Sequence, residues 1–225
     1  MKKIVSVILF ASLFACSDSD ASKSASKSTA KSENTLNNNT QGNEVVSQNT
    51  GPFVIDTAVS TLRWLGWEGP KSNNHTHYGT MKFLDGKIKL SPLKENTIES
   101  GDFTLSLSSI FVEDLKNVKR KNTLKKHLLE SKFFNADLFP NINVRIVSYS
   151  HKTNKVEIDI LGKKVYADVP IKLTQNEDKI FAKTDTFAVD FSELNIKGFQ
   201  PNKSDPNESI SPVIEFSLDL AFNKK

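Results

Sequence analysis

The sequence predicts an all-β protein: an antiparallel fold of about eight strands with one short helical insertion. Three observations carry this expectation. Apolar and polar residues alternate with period two through most of the chain beyond residue 52, the pattern of strands with one face on a core. Turn-forming residues separate many of the alternating runs. One lysine-rich stretch instead spaces its apolar residues as a helix does.

The early candidate strands are 53–56, 60–67, 79–84 and 86–90, with Asp85-Gly86 read as a hairpin turn between the last two. Phe103, Leu105 and Leu107 then alternate with Thr104, Ser106 and Ser108, after a turn at Ser100-Gly101. The helical stretch runs from Glu113 to Ser131 with Leu115, Val118, Leu124, Leu128 and Leu129 among lysines, and a break is expected near Asn122. Phe133-Phe134 and Phe139-Pro140 follow as an apolar knot, read as a core plug. Strands resume at 142–149 and 155–161, parted by Lys152-Thr153-Asn154. Val165, Ala167, Val169, Ile171 and Leu173 form the next alternating run, and 179–190 another. Residues 196–212, with Pro201, Pro206 and Pro212, are irregular, and long loops of this kind often cover a functional opening. The last strand is the clearest: Ile214, Phe216, Leu218, Leu220 and Phe222 share one face. Periodicity alone leaves a barrel and a β-sandwich both open. An eight-stranded barrel is about the size that holds one small ligand.

Composition narrows the function classes. The 225 residues carry a formal charge of +4, too small to imply a nucleic-acid surface. One cysteine excludes an internal disulfide and any Cys-based zinc or iron–sulfur site. Its position is informative. Lys2 and Lys3 precede an apolar stretch from Ile4 to Phe14, too short to span a bilayer and suited to a signal peptide over 1–15. The stretch ends Leu13-Phe14-Ala15-Cys16, which resembles the lipobox of bacterial lipoproteins. That resemblance implies cleavage before Cys16 and its acylation. More than one acyl chain anchors a protein stably without spanning the membrane. Ser17 follows the cysteine, then Asp18 and Asp20, a context that favours an outer-membrane lipoprotein facing the periplasm or the cell surface. Residues 17–51 are polar, rich in Ser, Lys and Asn, and lack aromatics. Such a segment buries too little apolar surface to offset its ordering entropy, so a disordered tether is expected. The domain proper is 52–225, and all thirteen phenylalanines outside the signal stretch fall in it.

Four segments of this domain resemble the YceI-like family of lipid-binding proteins. Phe53-Val54-Ile55-Asp56, with Ser60 and Trp64, is similar to the opening strand of that family. Thr76-His77-Tyr78-Gly79-Thr80 stands in the place of its His-x-Gly turn. Gly101-Asp102-Phe103-Thr104-Leu105-Ser106-Leu107-Ser108-Ser109-Ile110 is similar to a further strand. The most specific match is His127-Leu128-Leu129-Glu130-Ser131-Lys132-Phe133-Phe134-Asn135 with Phe139-Pro140. Ser106 and Lys132 stand where the family usually has Asp. A strand pair of the family is reduced to Glu157–Lys164, and the turn before the last strands reads Val189-Asp190-Phe191-Ser192. These departures fall on strand edges and turns, not on the apolar alternation.

The resemblance implies a lipocalin-like β-barrel that binds a long isoprenoid-type lipid, such as a polyprenyl chain or a quinone, in an elongated apolar cavity. The strand alternation nominates its lining: Trp64, Phe103, Leu105, Leu107, Val144, Ile146, Val165, Val169, Ile171, Phe216, Leu218 and Leu220. Trp64 and Trp67, three apart on a strand, are expected on opposite sides, with Trp64 inward. His77 is a candidate contact for a lipid head group. His75-Thr76-His77 puts two imidazoles on one side of a strand, but without a cysteine or a neighbouring carboxylate cluster no metal site is assigned. The lysines of 116–126 read as a solvated helix face or as a contact for anionic head groups. No Gly-x-Ser-x-Gly, phosphate loop or cofactor motif is present. The expectation is a non-catalytic lipid binder anchored in the cell envelope, with oligomeric state open. The alternative is an interaction lipoprotein whose barrel core is filled.

Overall fold

The structure is a computed structural model and describes residues 50–69, 75–150, 153–205 and 208–225. All lie in the compact unit Val46–Lys225. The expected signal stretch, Cys16 and nearly all of the tether fall outside the described residues, as does the Lys152 position of the expected turn.

Among the described residues, thirteen antiparallel strands form one sheet. They are β1 (Phe53–Ile55), β2 (Thr61–Trp67), β3 (Thr76–Met81), β4 (Phe83–Leu90), β5 (Ile98–Ser106), β6 (Phe111–Val112), β7 (Asn141–Ser150), β8 (Thr153–Ile160), β9 (Lys163–Val169), β10 (Ile171–Asn176), β11 (Lys179–Thr184), β12 (Phe187–Asp190) and β13 (Val213–Lys224). A hydrogen-bonded path runs β6-β3-β2-β13-β1-β4-β5-β7-β8-β9, and β10, β11 and β12 branch from it through β13. Among the described residues the path does not return to its start, and no ladder closes the lipocalin-like barrel. The count exceeds the expected eight because bends divide long runs. Pro170 ends β9, since it fixes φ and lacks a donor, and β10 then pairs with β11 instead of β8. Asp185 and Thr186 divide 179–190 in the same way.

Strand β13 organises the sheet. Its first half pairs β12 and β2, and its second half pairs β11 and β1. Twelve alternating residues are long enough to serve four neighbours at about 3.4 Å per residue.

Two expected turns are strand interiors instead. Asp85 and Gly86 lie within β4, opposite Thr104 and Phe103. A Cβ on Gly86 would stand 2.4 Å from Phe103 Cδ1, so this glycine admits an aromatic ring and does not make a turn. A β-bulge between Phe83 and Asp85 lies just before it. Gly101 lies within β5 and is hemmed in by Ile146, Ile88 and a backbone carbonyl, each 3.1 Å from its missing Cβ. In both places the neighbouring strand decides that the residue must be small.

The helix α1 (Val118–Leu129) is continuous through Asn122, without the expected break. Asn117 caps its start by accepting from the Arg120 N–H at 3.1 Å, satisfying one orphan donor. Its C-terminus folds into a tight turn: Phe134 N–H donates to the Leu128 carbonyl and Ala136 N–H to that of Leu129. Asn135 takes a left-handed φ of 46° there. Among the described residues no helix is long and apolar enough to cross a membrane.

Ser60, buried completely, ties the first segment to the last. Its Oγ accepts from Ala221 N–H at 3.0 Å and donates to the Ala221 carbonyl at 3.3 Å.

Candidate functional site: an apolar cavity with a polar mouth

The inward faces of eleven strands, all but β1 and β6, surround a cavity of about 770 Å³. Phenylalanines dominate its wall in three edge-to-face or tilted trios. Phe83, Phe103 and Phe222 make one, with ring centroids 6.1 Å apart. Phe133 and Phe134 meet Phe199 at 5.7 and 6.2 Å. Phe187 and Phe191 meet Phe216 at 6.0 and 6.4 Å. All nine rings line the cavity. Rings in this number give a stiff wall, since each has only two side-chain torsions and packs by its edge.

Of the nominated lining residues, Trp64, Phe103, Leu105, Leu107, Val144, Ile146, Val169, Ile171, Phe216, Leu218 and Leu220 stand in the wall. Val165 does not. It is buried on the same face of β9 as Ala167 and Val169, but of these three only Val169 reaches the cavity lining. Trp67 corrects a second expectation, because it lines the cavity together with Trp64. It ends β2, where the chain meets the 208–211 segment through a Glu68–Ile210 bridge and a Ser211 N–H bond to the Trp67 carbonyl. Strict alternation does not hold at such a strand end. Phe133 and Phe134 are both core and wall, buried and facing the cavity at once. Alternation also missed Phe187, Phe191 and Phe199, which sit in short strands and turns without a readable period.

The polar members of the lining are confined to one region. Glu68 and His77 come from the ends of β2 and β3, His127 and Lys132 from α1 and the turn after it. Lys197, Gln200, Asn202, Glu208 and Ser211 come from the irregular segment. This is the mouth, and the described parts of the irregular segment with α1 form its cover. The cover is packed against itself. Gly198 N–H donates to the Lys132 carbonyl at 2.8 Å, and the Phe133 ring fills the space beside Gly198, 2.2 Å from where a Cβ would stand.

His77 Nδ1 lies 2.8 Å from Asp114 Oδ2. A carboxylate only accepts, so Nδ1 carries a proton, and in the neutral ring Nε2 keeps its lone pair. His75 Nδ1 lies 3.3 Å from Glu68 Oε2, and the two imidazoles meet edge to face with centroids 5.4 Å apart. Gly66, opposite His77 in the β2–β3 ladder, leaves open space where a side chain would project.

Strong charge pairing lies elsewhere, on the outer face. Glu157 accepts from Arg145 at 2.8 Å, from Lys164 at 2.9 Å and from Tyr166 at 2.9 Å. The Lys164 bond, then the Tyr166 bond, holds its carboxyl below the ordinary range, and the same bond raises Lys164. Asp190 is lowered by the hydroxyl and then the backbone N–H of Ser192. None of these groups lines the cavity.

Fold and cavity define a class: an antiparallel β protein wrapped around an open apolar chamber with a polar rim. The chain belongs to the YceI-like domain family, which matches residues 53–222. Two solved structures share the fold. One is BcnA of Burkholderia cenocepacia, at 18% identity and a TM-score of 0.56, covering 74% of this chain and 98% of that one. The other is a polyisoprenoid binding domain from Saccharophagus degradans implicated in plant cell wall breakdown. It is 9% identical with a TM-score of 0.55, covering 78% of this chain and 99% of that one. No curated protein matches the chain.

Proposed function

We propose that this chain is a lipid-anchored, non-catalytic binding protein that holds an isoprenoid-type lipid, a polyprenyl chain or a quinone, in its cavity. The carrying observation is the chamber of about 770 Å³ whose wall is built from one apolar face of eleven strands. A five-carbon isoprene unit packed at protein density takes on the order of 100 Å³, so the volume suits roughly seven such units. Burial at about 0.8 kcal/mol per carbon gives high affinity without a specific polar contact. The polar end of the ligand rests at the mouth beside His77. Membership of the YceI-like family supports the reading, as does the shared fold of the domain described as polyisoprenoid binding. The alternative of a filled barrel core is not favoured by a cavity of this size.

Anchoring is part of the same proposal. The signal stretch over 1–15 is removed, Cys16 is acylated, and residues 16–51 tether the domain to the outer membrane, facing the periplasm or the cell surface. Native mass spectrometry of the full chain, with extraction and analysis of bound lipid, tests the ligand. Co-purified prenyl lipid is the expected result. Protein that is recovered empty and also refuses polyprenols and quinones refutes it. Cys16→Ser moves the chain from the membrane fraction to the soluble one if the anchor is correct.

A further inference from the structure

The geometry points to a divalent metal site of the zinc class at the mouth, with Glu68, His75 and His77 as ligands and Asp114 as the residue that orients His77. We infer it from four observations that do not depend on the lipid reading. First, one ligand atom from each of the three residues lies within 4.8 Å of the other two. Around a tetrahedral zinc with bonds near 2.0–2.1 Å the ligand atoms stand roughly 3.4 Å apart. The side chains therefore close by little over an ångström, and His75, 58% exposed, is free to turn. Second, the backbone fixes the three positions. Glu68 N–H bonds the His75 carbonyl at 3.0 Å, and His77 pairs with Gly66 two residues on. All three side chains thus leave the same face of one ladder.

Third, His77 has the arrangement of a ligating histidine. Its Nδ1–H donates to Asp114 at 2.8 Å, which presents Nε2 with a free lone pair. A carboxylate on the far nitrogen sets the tautomer and the orientation of the ring. Asp114 is itself held, because its Oδ1 accepts from the Tyr78 N–H at 3.1 Å. Fourth, Gly66 leaves open the space opposite His77. Two histidines and one carboxylate make three ligands, and a fourth position remains for water or another small donor. Imidazole and carboxylate donors select zinc or another late divalent ion of the first transition row over magnesium or calcium.

The test uses the untagged full chain and Zn²⁺ in isothermal titration, with Co²⁺ as a spectroscopic probe. One equivalent of Zn²⁺ binds, and Co²⁺ develops the intense visible bands of a four- or five-coordinate ion. His75→Gln, His77→Gln and Glu68→Gln each weaken Zn²⁺ binding by about tenfold or more. Asp114→Asn, which keeps every ligand, weakens it by about 10- to 100-fold, as loss of an orienting partner does. Glu157→Gln, on the outer face, leaves it unchanged. Three results overturn the inference: no stoichiometric binding, a Co²⁺ spectrum as weak as that of the aquated ion, or equal affinity in the His75→Gln/His77→Gln double variant. The Co²⁺ spectrum is read on the unaltered chain, so it decides the matter even if a variant folds poorly.

Discussion

Gly66→Phe separates the cavity from the rest of the fold. Gly66 lines the cavity near its mouth, and a Cβ added there meets nothing within 4 Å. Its φ lies outside the left-handed region, so a side chain introduces no backbone strain. In a strand, phenylalanine is preferred to glycine by up to about 1 kcal/mol. Urea unfolding should therefore show unchanged or slightly raised stability. The benzyl group occupies on the order of 130 Å³ at protein density, roughly a sixth of a chamber of about 770 Å³. It displaces at least one isoprene unit. At about 0.8 kcal/mol per carbon the loss is about 4 kcal/mol, which is roughly a thousandfold in Kd. Competition between a fluorescent polyprenol and unlabelled ligand, measured on both proteins, reads this directly. A stably folded Gly66→Phe chain that binds prenyl lipid as tightly as the unaltered one would refute the placement of ligand in this cavity.

Three other changes probe how the wall is held. Gly79→Ala should lower the urea midpoint severely, by about 3 kcal/mol of stability or more, because its Cβ would lie 1.8 Å from the Phe111 carbonyl oxygen across the β3–β6 pair. Ser60→Ala should cost about 1–3 kcal/mol in the same assay, since it strips the Ala221 N–H of the acceptor that the buried Ser60 hydroxyl provides. Glu157 has a lowered carboxyl, so its contribution is full above the ordinary glutamate value of 4.5 and is lost as pH falls through its folded value. Lys164 is raised, so its share is full below the ordinary lysine value of 10.5 and is lost as pH rises through its folded value. The stability gap between the unaltered chain and Glu157→Gln is accordingly small at neutral pH, because its cationic partners Arg145 and Lys164 are more than half exposed. It narrows in acid and again in strong alkali, as pH-dependent urea titrations can follow.

The wall was largely legible because a barrel writes its inside into every second residue. Ile214, Phe216, Leu218, Leu220 and Phe222 announce the inner face of β13, and all five line the cavity. What escaped depends on neighbours distant in sequence. Gly86 and Gly101 look like turn formers until Phe103, Ile146 and Ile88 are placed against them. Trp67 joins the wall only because the chain returns at Ile210 to bridge Glu68. The mouth was the least legible part. The His75 and His77 pair stands out in sequence, but its carboxylates do not. Asp114 lies 37 residues beyond His77, and Glu68 reaches His75 through the pairing of β2 with β3. Alternation has no means of representing either encounter.

The segment that resembles the family most closely, His127 to Asn135, does its physical work at the cover and not in the barrel wall proper. The helix end brings Leu128 to the cavity, and the left-handed turn at Asn135 closes the loop that carries Phe133 and Phe134 inward. Phe133 then takes the space that a side chain on Gly198 would need, while Lys132 accepts the Gly198 N–H. Two segments more than sixty residues apart are thereby fixed to each other by one ring, one glycine and one hydrogen bond. A chamber whose wall is set by β alternation tolerates many apolar exchanges, since any large hydrophobe on the right face fills the role. Its cover is built from a specific fit between a ring and a missing side chain. That difference explains why the cover is readable as a motif, residue by residue, and the wall only as a period.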